Sequence, residues 1–133
     1  MAQVAANVSC TPAGRMSDHS QRGAAPTGWV HSAGVLQDRS LANVAARDLR
    51  AVVQPKSGAA QSLDCRGRAS DSRVMVLFSS VASLLGNAGQ ASYAVANAML
   101  DALACDRAQR GAAGASVIVG VAGLHRKAHS TRG

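Results

Sequence analysis

Five consecutive apolar residues, Val74, Met75, Val76, Leu77 and Phe78, set the strongest limit on what this chain can build. A run without polar alternation suits a strand covered on both faces, and covering both faces calls for a parallel sheet with helices packed against it. Only three aromatic side chains are present (Trp29, Phe78, Tyr93), so the packing rests on Ala, Val and Leu, which suits closely stacked α/β layers. The chain length of 133 residues leaves room for one domain.

The neighbouring segments complete an α/β pattern. Residues 3–8 and 27–34 predict strands, the second running into a turn at Gly34 where glycine supplies a backbone angle that other residues resist. Residues 41–63 carry apolar residues near helical spacing. Pro55 should kink or divide that helix, because it has no amide hydrogen to give the preceding turn. Residues 64–73 read as a basic polar loop, 79–90 as a loop of small residues, 91–110 as a helix stopping at Gly111, and 114–120 as a further strand. Strands alternating with helices imply crossover connections, and in such a sheet ligands bind at the carboxyl ends of the strands.

Composition narrows the function classes. No apolar block approaches the ~20 residues that cross a bilayer, and the N-terminus lacks a charged segment followed by an apolar one, so the expectation is no membrane partner and a cytoplasmic or organellar-stromal setting. Cys10, Cys65 and Cys105 are odd in number and far apart, which specifies neither a disulfide framework nor a zinc site. His125 and His129 stand four apart with no third ligand, so no metal site is expected. The net charge of +7 is compatible with an anionic partner, yet three of those charges (Arg126, Lys127, Arg132) lie in the last ten residues. With so few aromatics to stack on bases, nucleic-acid binding is not expected.

The chemistry concentrates after the apolar run. Ser79 and Ser80 follow it directly, at the end of the strand where a ligand crevice opens. Tyr93 and Asn97 come four apart on one face of the next helix. A phenol, an amide and a hydroxyl can handle a carbonyl oxygen, but a tyrosine with a pKa of ~10 relays protons poorly until a cation favours its phenolate. Lys56, one of only two lysines, is the candidate. Each group has a plainer reading: a Tyr and Asn on an Ala-rich helix can be structural, Asp38 can be a surface acid at a helix entrance, and Arg66, Arg68 and Arg73 can be a solvated loop rather than a dock for an acidic partner. Ser79 and Ser80 lack the G-x-S-x-G flanks of a hydrolase, and the stretch from Gly86 to Gly89 lacks the Lys-Ser/Thr of a phosphate loop, which leaves it as a substrate-side loop.

Taken together, the segments His31-Ser-Ala-Gly-Val-Leu-Gln-Asp38, Gln54-Pro-Lys-Ser-Gly-Ala59 and the stretch from Val76 through Ser80 and Tyr93 to Leu103 resemble the ketoreductase domain of polyketide and fatty acid synthases, in the short-chain dehydrogenase/reductase superfamily. The resemblance covers residues 27–120 and implies a partial Rossmann-like, doubly wound parallel sheet. It also implies reduction by NADPH of a β-keto thioester carried on an acyl carrier protein, with other synthase domains as neighbours. Ser80, thirteen residues before Tyr93, matches the serine that holds the substrate carbonyl; Tyr93 matches the proton donor, Asn97 the relay asparagine and Lys56 the lysine from the preceding helix. Asn7, Ala33 and Gly34 match cofactor-side positions. Leu36-Gln37-Asp38 resembles the Leu-Asp-Asp motif of B-type ketoreductases, and the opposite class carries Trp where Leu85 stands, so Asp38 and Leu85 bear on stereochemistry.

Two departures qualify these expectations. The sequence contains no G-x-G-x-x-G turn, whose backbone approaches the cofactor phosphates in the family. Residues 1–123 are accordingly expected to be an internal piece of a ketoreductase, with 124–133 as a basic tail. In the strand order 3-2-1-4-5-6, loss of strands 1 and 2 leaves a central edge bare, so weak stability, weak NADPH affinity and no hydride transfer by the chain alone are expected. The alternative is a non-catalytic structural remnant of a synthase. Structural subdomains of that kind generally lack the Lys, Ser, Tyr and Asn set that is intact here.

Overall fold

The computed structural model describes residues 28–69 and 74–120. The expected strand at 3–8 with Asn7, the basic side chain of Arg73 and the tail at 124–133 lie outside the described residues. Within them, three parallel strands form one sheet in the order β1 (Gly28–His31), β2 (Val74–Ser80), β3 (Gly114–Val119). The register pairs His31 with Leu77, and runs from Met75 opposite Gly114 to Ser80 opposite Val119. The apolar run thus becomes the central strand, longer than expected by its two serines.

Helices make both crossovers. Between β1 and β2 come a short 3-10 turn (Leu41–Asn43), α1 (Ala46–Val53), a π turn (Gln54–Gly58) and α2 (Ala59–Ala69); between β2 and β3 come α3 (Ala82–Leu85) and α4 (Ala91–Gln109). Asp48 fixes the start of α1 by accepting the Ala45 amide at 3.0 Å and the Arg39 guanidinium at 3.2 Å. Pro55 divides the long helix as expected, but by widening it and not by breaking it. The π turn absorbs the missing donor, and Ser57 Oγ donates to the Val53 carbonyl at 3.0 Å. Glycine at 111 closes α4 at φ 72°.

Two expected loops are corrected. Residues 64–69 continue α2 as helix, because Asp64 is buried and ion-paired to Arg107 of α4 and to Arg110 just after it, an anchor distant in sequence. The 79–90 segment contains α3, and its turns are made by Gly86 at φ 70° and Gly89 at φ 78°. Gly34 is corrected too, since its backbone angle is ordinary. Its role is space, as a Cβ there would lie 3.4 Å from Lys56 Nζ.

The core lies between the sheet and the helices. Ala60 and Leu63 of α2, Met75 and Leu77 of β2, and Leu100 and Ala104 of α4 pack together with Trp29 at their margin. Burial alternates along β2: Met75, Leu77 and Ser79 are buried, whereas Val74 is exposed and Val76, Phe78 and Ser80 are half-buried. The expectation of cover on both faces is therefore met on one face only among the described residues. Val30 of β1 is 71% exposed and Val117 and Val119 of β3 about as open as the half-exposed Val74. Among the described residues no helix is long and apolar enough to cross a membrane.

Candidate active site

The π turn sets the site. It carries Lys56 inward, and the side chain ends only 4% exposed, an unusual position for a lysine. Both ends of the residue are held. Its carbonyl accepts His31 Nε2–H at 2.7 Å, and its ammonium donates to the Phe78 carbonyl at 3.1 Å, one residue beyond the last β1 pairing on β2. The same ammonium stands 5.4 Å from the centroid of the Tyr93 ring, within the ~6 Å range of a cation–π contact. Burial pulls the Lys56 ammonium below its ordinary pKa of 10.5, and the negative charge of Asp101 partly restores it.

His31 contributes by holding the Lys56 backbone. Bonding to a carbonyl requires the proton on Nε2. Burial lowers its pKa from 6.5, the Lys56 charge lowers it further, and the bond to the Lys56 carbonyl works in the opposite direction. A histidine kept neutral in the fold leaves the unfolded chain holding more protons below pH 6.5, so its stability contribution is whole above that pH and declines as the pH falls towards the lowered value. Equilibrium unfolding between pH 7.5 and 5 is expected to show a decline of up to about 1.4 kcal/mol per pH unit from this group. In His31→Gln that component of the slope disappears; an unchanged slope would contradict the assignment.

On α4, Tyr93 is half-buried and Asn97 fully buried. The Asn97 side chain donates from Nδ2 to the Tyr93 carbonyl at 2.7 Å, and its backbone carbonyl accepts Ser79 Oγ–H at 3.3 Å. Asn97 Oδ1 is buried with no hydrogen-bond partner among the described residues. The two serines diverge: Ser79 points into the core, whereas Ser80, half-buried at the strand end, has its Oγ within 3.3 Å of the Ala82 amide. Lys56, Tyr93 and Asn97 are thus brought together directly, and Ser80 sits at the end of the strand whose Phe78 carbonyl holds Lys56.

The remaining sequence-derived positions line two exposed segments. Ala33 and Gly34 follow β1, with Gly34 against Lys56. Asp38 accepts Gln90 Nε2 at 3.2 and 3.3 Å, and the Arg39 amide donates to the Gly89 carbonyl at 2.7 Å, which ties the segment after β1 to the 86–90 turn. Leu85 is 81% exposed at the end of α3. Sequence reasoning passed over Asp101 and Ser83. The available signal was periodic: Asp101 stands four residues after Asn97 and eight after Tyr93, an acid on the active face of an Ala-rich helix.

Comparison with known proteins brings out ketoreductases of polyketide synthases. The KR domain model matches residues 4–123. Over 95 residues the chain is 44% identical to the spectinabilin polyketide synthase system protein NorA' of Streptomyces orinoci, covering 71% of this chain and 3% of that one. Polyketide synthase GfsA of Streptomyces halstedii is 50% identical over 78 residues, 59% of this chain and 1% of its own. Among solved structures, the first ketoreductase of the tylosin polyketide synthase superposes with a TM-score of 0.67 at 37% identity, over 70% of this chain and 21% of that chain. An A-type ketoreductase from a modular polyketide synthase gives 0.66 at 41% identity, over 69% and 20%. The chain spans only a small part of the length of each of these relatives. By its sequence, its parallel sheet and these matches, it belongs to the KR domain family, the polyketide synthase ketoreductases of the short-chain dehydrogenase/reductase superfamily.

Proposed function

We propose that this chain contributes the substrate-handling part of a β-ketoacyl reductase, acting on a β-keto thioester borne by an acyl carrier protein within a polyketide synthase. The observation that carries this reading is the buried Lys56 ammonium, held by the Phe78 carbonyl and placed over the Tyr93 ring. In it, residues 1–123 form the ketoreductase portion, supported by a family match that ends at 123, and 124–133 form a basic tail. The neighbouring synthase domains are its partners.

Reduction adds two electrons and one proton to the ketone carbon and a second proton to its oxygen. NADPH, when bound, supplies the hydride. The protein supplies the rest: Ser80 Oγ donates a hydrogen bond to the substrate carbonyl, and Tyr93 gives its phenolic proton to the oxygen as negative charge develops there. The Lys56 ammonium stands over the Tyr93 ring, where its positive charge offsets the negative charge that proton transfer leaves behind, and the proton returns from solvent. A positioned acid of this kind contributes about 10² to 10⁴ in rate, and a hydrogen-bond donor facing the oxyanion adds a few kcal/mol.

The residues present fit the nicotinamide end of the cofactor. An ammonium has three donors, and the Phe78 carbonyl takes one of those on Lys56; the buried, unpartnered Asn97 Oδ1 offers an acceptor for a relay water. Gly34 lies beside the ammonium; Ala33 is assigned with it to the nicotinamide end and Asn7 to the adenine end. Asp38, tied to the 86–90 turn through Gln90, and Leu85 are assigned to guiding the acyl chain, with the B-type product as the expected configuration.

Titration with NADPH, followed by fluorescence enhancement, is expected to reveal weak affinity, since no G-x-G-x-x-G turn occurs in the 133 residues. The chain alone is expected to transfer no hydride while that weak affinity leaves NADPH unbound; where excess NADPH forces occupancy, reduction of a short β-ketoacyl pantetheine thioester is expected to be slow and to depend on Tyr93. Absence of turnover at every NADPH concentration, or the same rate in Tyr93→Phe, would sink the catalytic reading. That result would favour a non-catalytic remnant, a reading with which the open sheet face at Val30, Val117 and Val119 is compatible.

A further inference from the structure

Among the described residues, Asp101 is a carboxylate that joins three elements at the end of the sheet where Ser80 lies. Ser83 of α3 donates Oγ–H to Asp101 Oδ2 at 2.7 Å, and Ser116 of β3 donates to Oδ1. Ser83 Oγ also lies 2.8 Å from the Ser80 carbonyl, and Ser80 Oγ accepts the Ala82 amide within the same turn. A hydroxyl has a single proton, and a charged carboxylate competes for it better than a backbone carbonyl does. The grip of Asp101 on Ser83 is therefore the stronger of the two bonds, and the turn that presents Ser80 is fastened to α4 through it.

We propose that Asp101 is a positioning residue, which fixes the Ser80 hydroxyl by clamping Ser83 to α4 and β3; its catalytic meaning rests on the ketoreductase reading of Ser80. The geometric need is plain, because a displacement of about 1 Å in a substrate-holding group can cost about 10²-fold in rate. The carboxylate has a second effect. Its charge opposes the burial that lowers the Lys56 ammonium, in a setting where His31 of β1 and Tyr93 of α4 are the other titratable groups facing that lysine.

The two effects separate by substitution. Asp101→Asn removes the charge but leaves an amide able to bond both serine hydroxyls, which can donate or accept. Asp101→Ala removes charge and bonds together. Ser83→Ala cuts the link to the turn and leaves the charge. The 133-residue chain is measured in two ways: by amide hydrogen exchange at Leu84 and Leu85, which donate to the Val81 carbonyl, and at Gly86, which donates to that of Ala82, and by an NMR titration of Lys56, one of only two lysines, labelled at Cε.

Exchange at the three amides is expected to rise about tenfold in Ser83→Ala and in Asp101→Ala, no further in the double variant, and little in Asp101→Asn. The Lys56 midpoint is expected to fall in both Asp101 variants and to stay in Ser83→Ala. Unchanged exchange in Ser83→Ala, additive effects in the double variant, exchange in Asp101→Asn equal to that in Asp101→Ala, or unprotected amides in the parent chain would each overturn the clamp. Neither readout needs turnover, so failure of the clamp is distinct from failure of the ketoreductase reading, which the Tyr93→Phe comparison decides.

Discussion

Asp64→Ala is expected to lower the folding stability of the chain by about 3–5 kcal/mol, the range for breaking a buried ion pair by removing one partner. Asp64 is 2% exposed and Arg107 3% exposed, and their side chains bond directly. Arg68 adds a bond at 2.8 Å and Arg110 one at 3.1 Å from more exposed positions, while Arg107 also donates to the Ala113 carbonyl at 2.9 Å. Alanine at 64 leaves the Arg107 guanidinium buried without its carboxylate. The loss of that carboxylate from a buried guanidinium is the source of the cost. Gly114 completes the arrangement, because a Cβ there would come within 3.0 Å of Arg107 Nε.

The cluster is also a source of acid sensitivity. Burial pushes the Asp64 carboxyl up from 3.8, but the bonds from Arg68 and Arg107 and the charges of Arg110 and Arg68 outweigh it and leave it lowered. A depressed carboxyl contributes its stability fully above the unfolded value of 3.8 and loses it as the pH falls through the folded value. Urea unfolding followed by the fluorescence of Trp29, the sole tryptophan, should therefore show a decline below about pH 4 that is shallower in Asp64→Ala. As a contrast, Asp106→Ala, whose side chain is 55% exposed, is expected to cost no more than about 1 kcal/mol. Equal losses in the two variants would show that the buried pair has no special weight.

Lys56→Met is expected to separate function from stability. Methionine has a similar length and no charge to desolvate, so the fold loses the penalty that pulls the Lys56 ammonium below its ordinary value. The Phe78 carbonyl gives up a donor in exchange. With these terms opposed, the urea midpoint is expected to hold or to rise. Tyr93-dependent reduction at excess NADPH is expected to fall by about 10² to 10⁴, the range for losing a positioned acid–base contribution. A variant that unfolds readily, or that reduces substrate at the parental rate, would instead make Lys56 a structural lysine. The sign of the stability change is the informative part, since groups strained for catalysis are commonly the ones whose removal stabilises a protein.

Much of the architecture was legible in the residues because local physics and fold agree there. The apolar run became the central strand, the Ala-rich stretch after Gln90 became α4, and Gly111 ended it, each as sequence periodicity and punctuation predicted. Pro55 announced an interruption, although only the fold shows that the helix widens to keep going and that this widening carries Lys56. Residues 64–69 have the polar composition of a loop and yet fold as helix, because that composition reflects ion pairs from Asp64 to Arg107 and Arg110, some forty residues away. No local pattern encodes such a partner.

The candidate site divides in the same way. Residue types and spacing drew out Lys56, Ser79, Ser80, Tyr93 and Asn97, since a ketone's chemistry asks for a hydroxyl, a phenol and a cation near a strand end, and the family resemblance chose Ser80 of the two serines. Sequence determined which groups were available and in what order they arrived at the sheet. Tertiary structure decided how they are held: His31 and Phe78 fastening Lys56, Gly34 leaving it room, and Asp101 tying Ser83 to two further elements. Those contacts depend on burial and on segments brought together by two crossovers, and a one-dimensional pattern carries chemistry and periodicity but not the distances between elements that only packing sets.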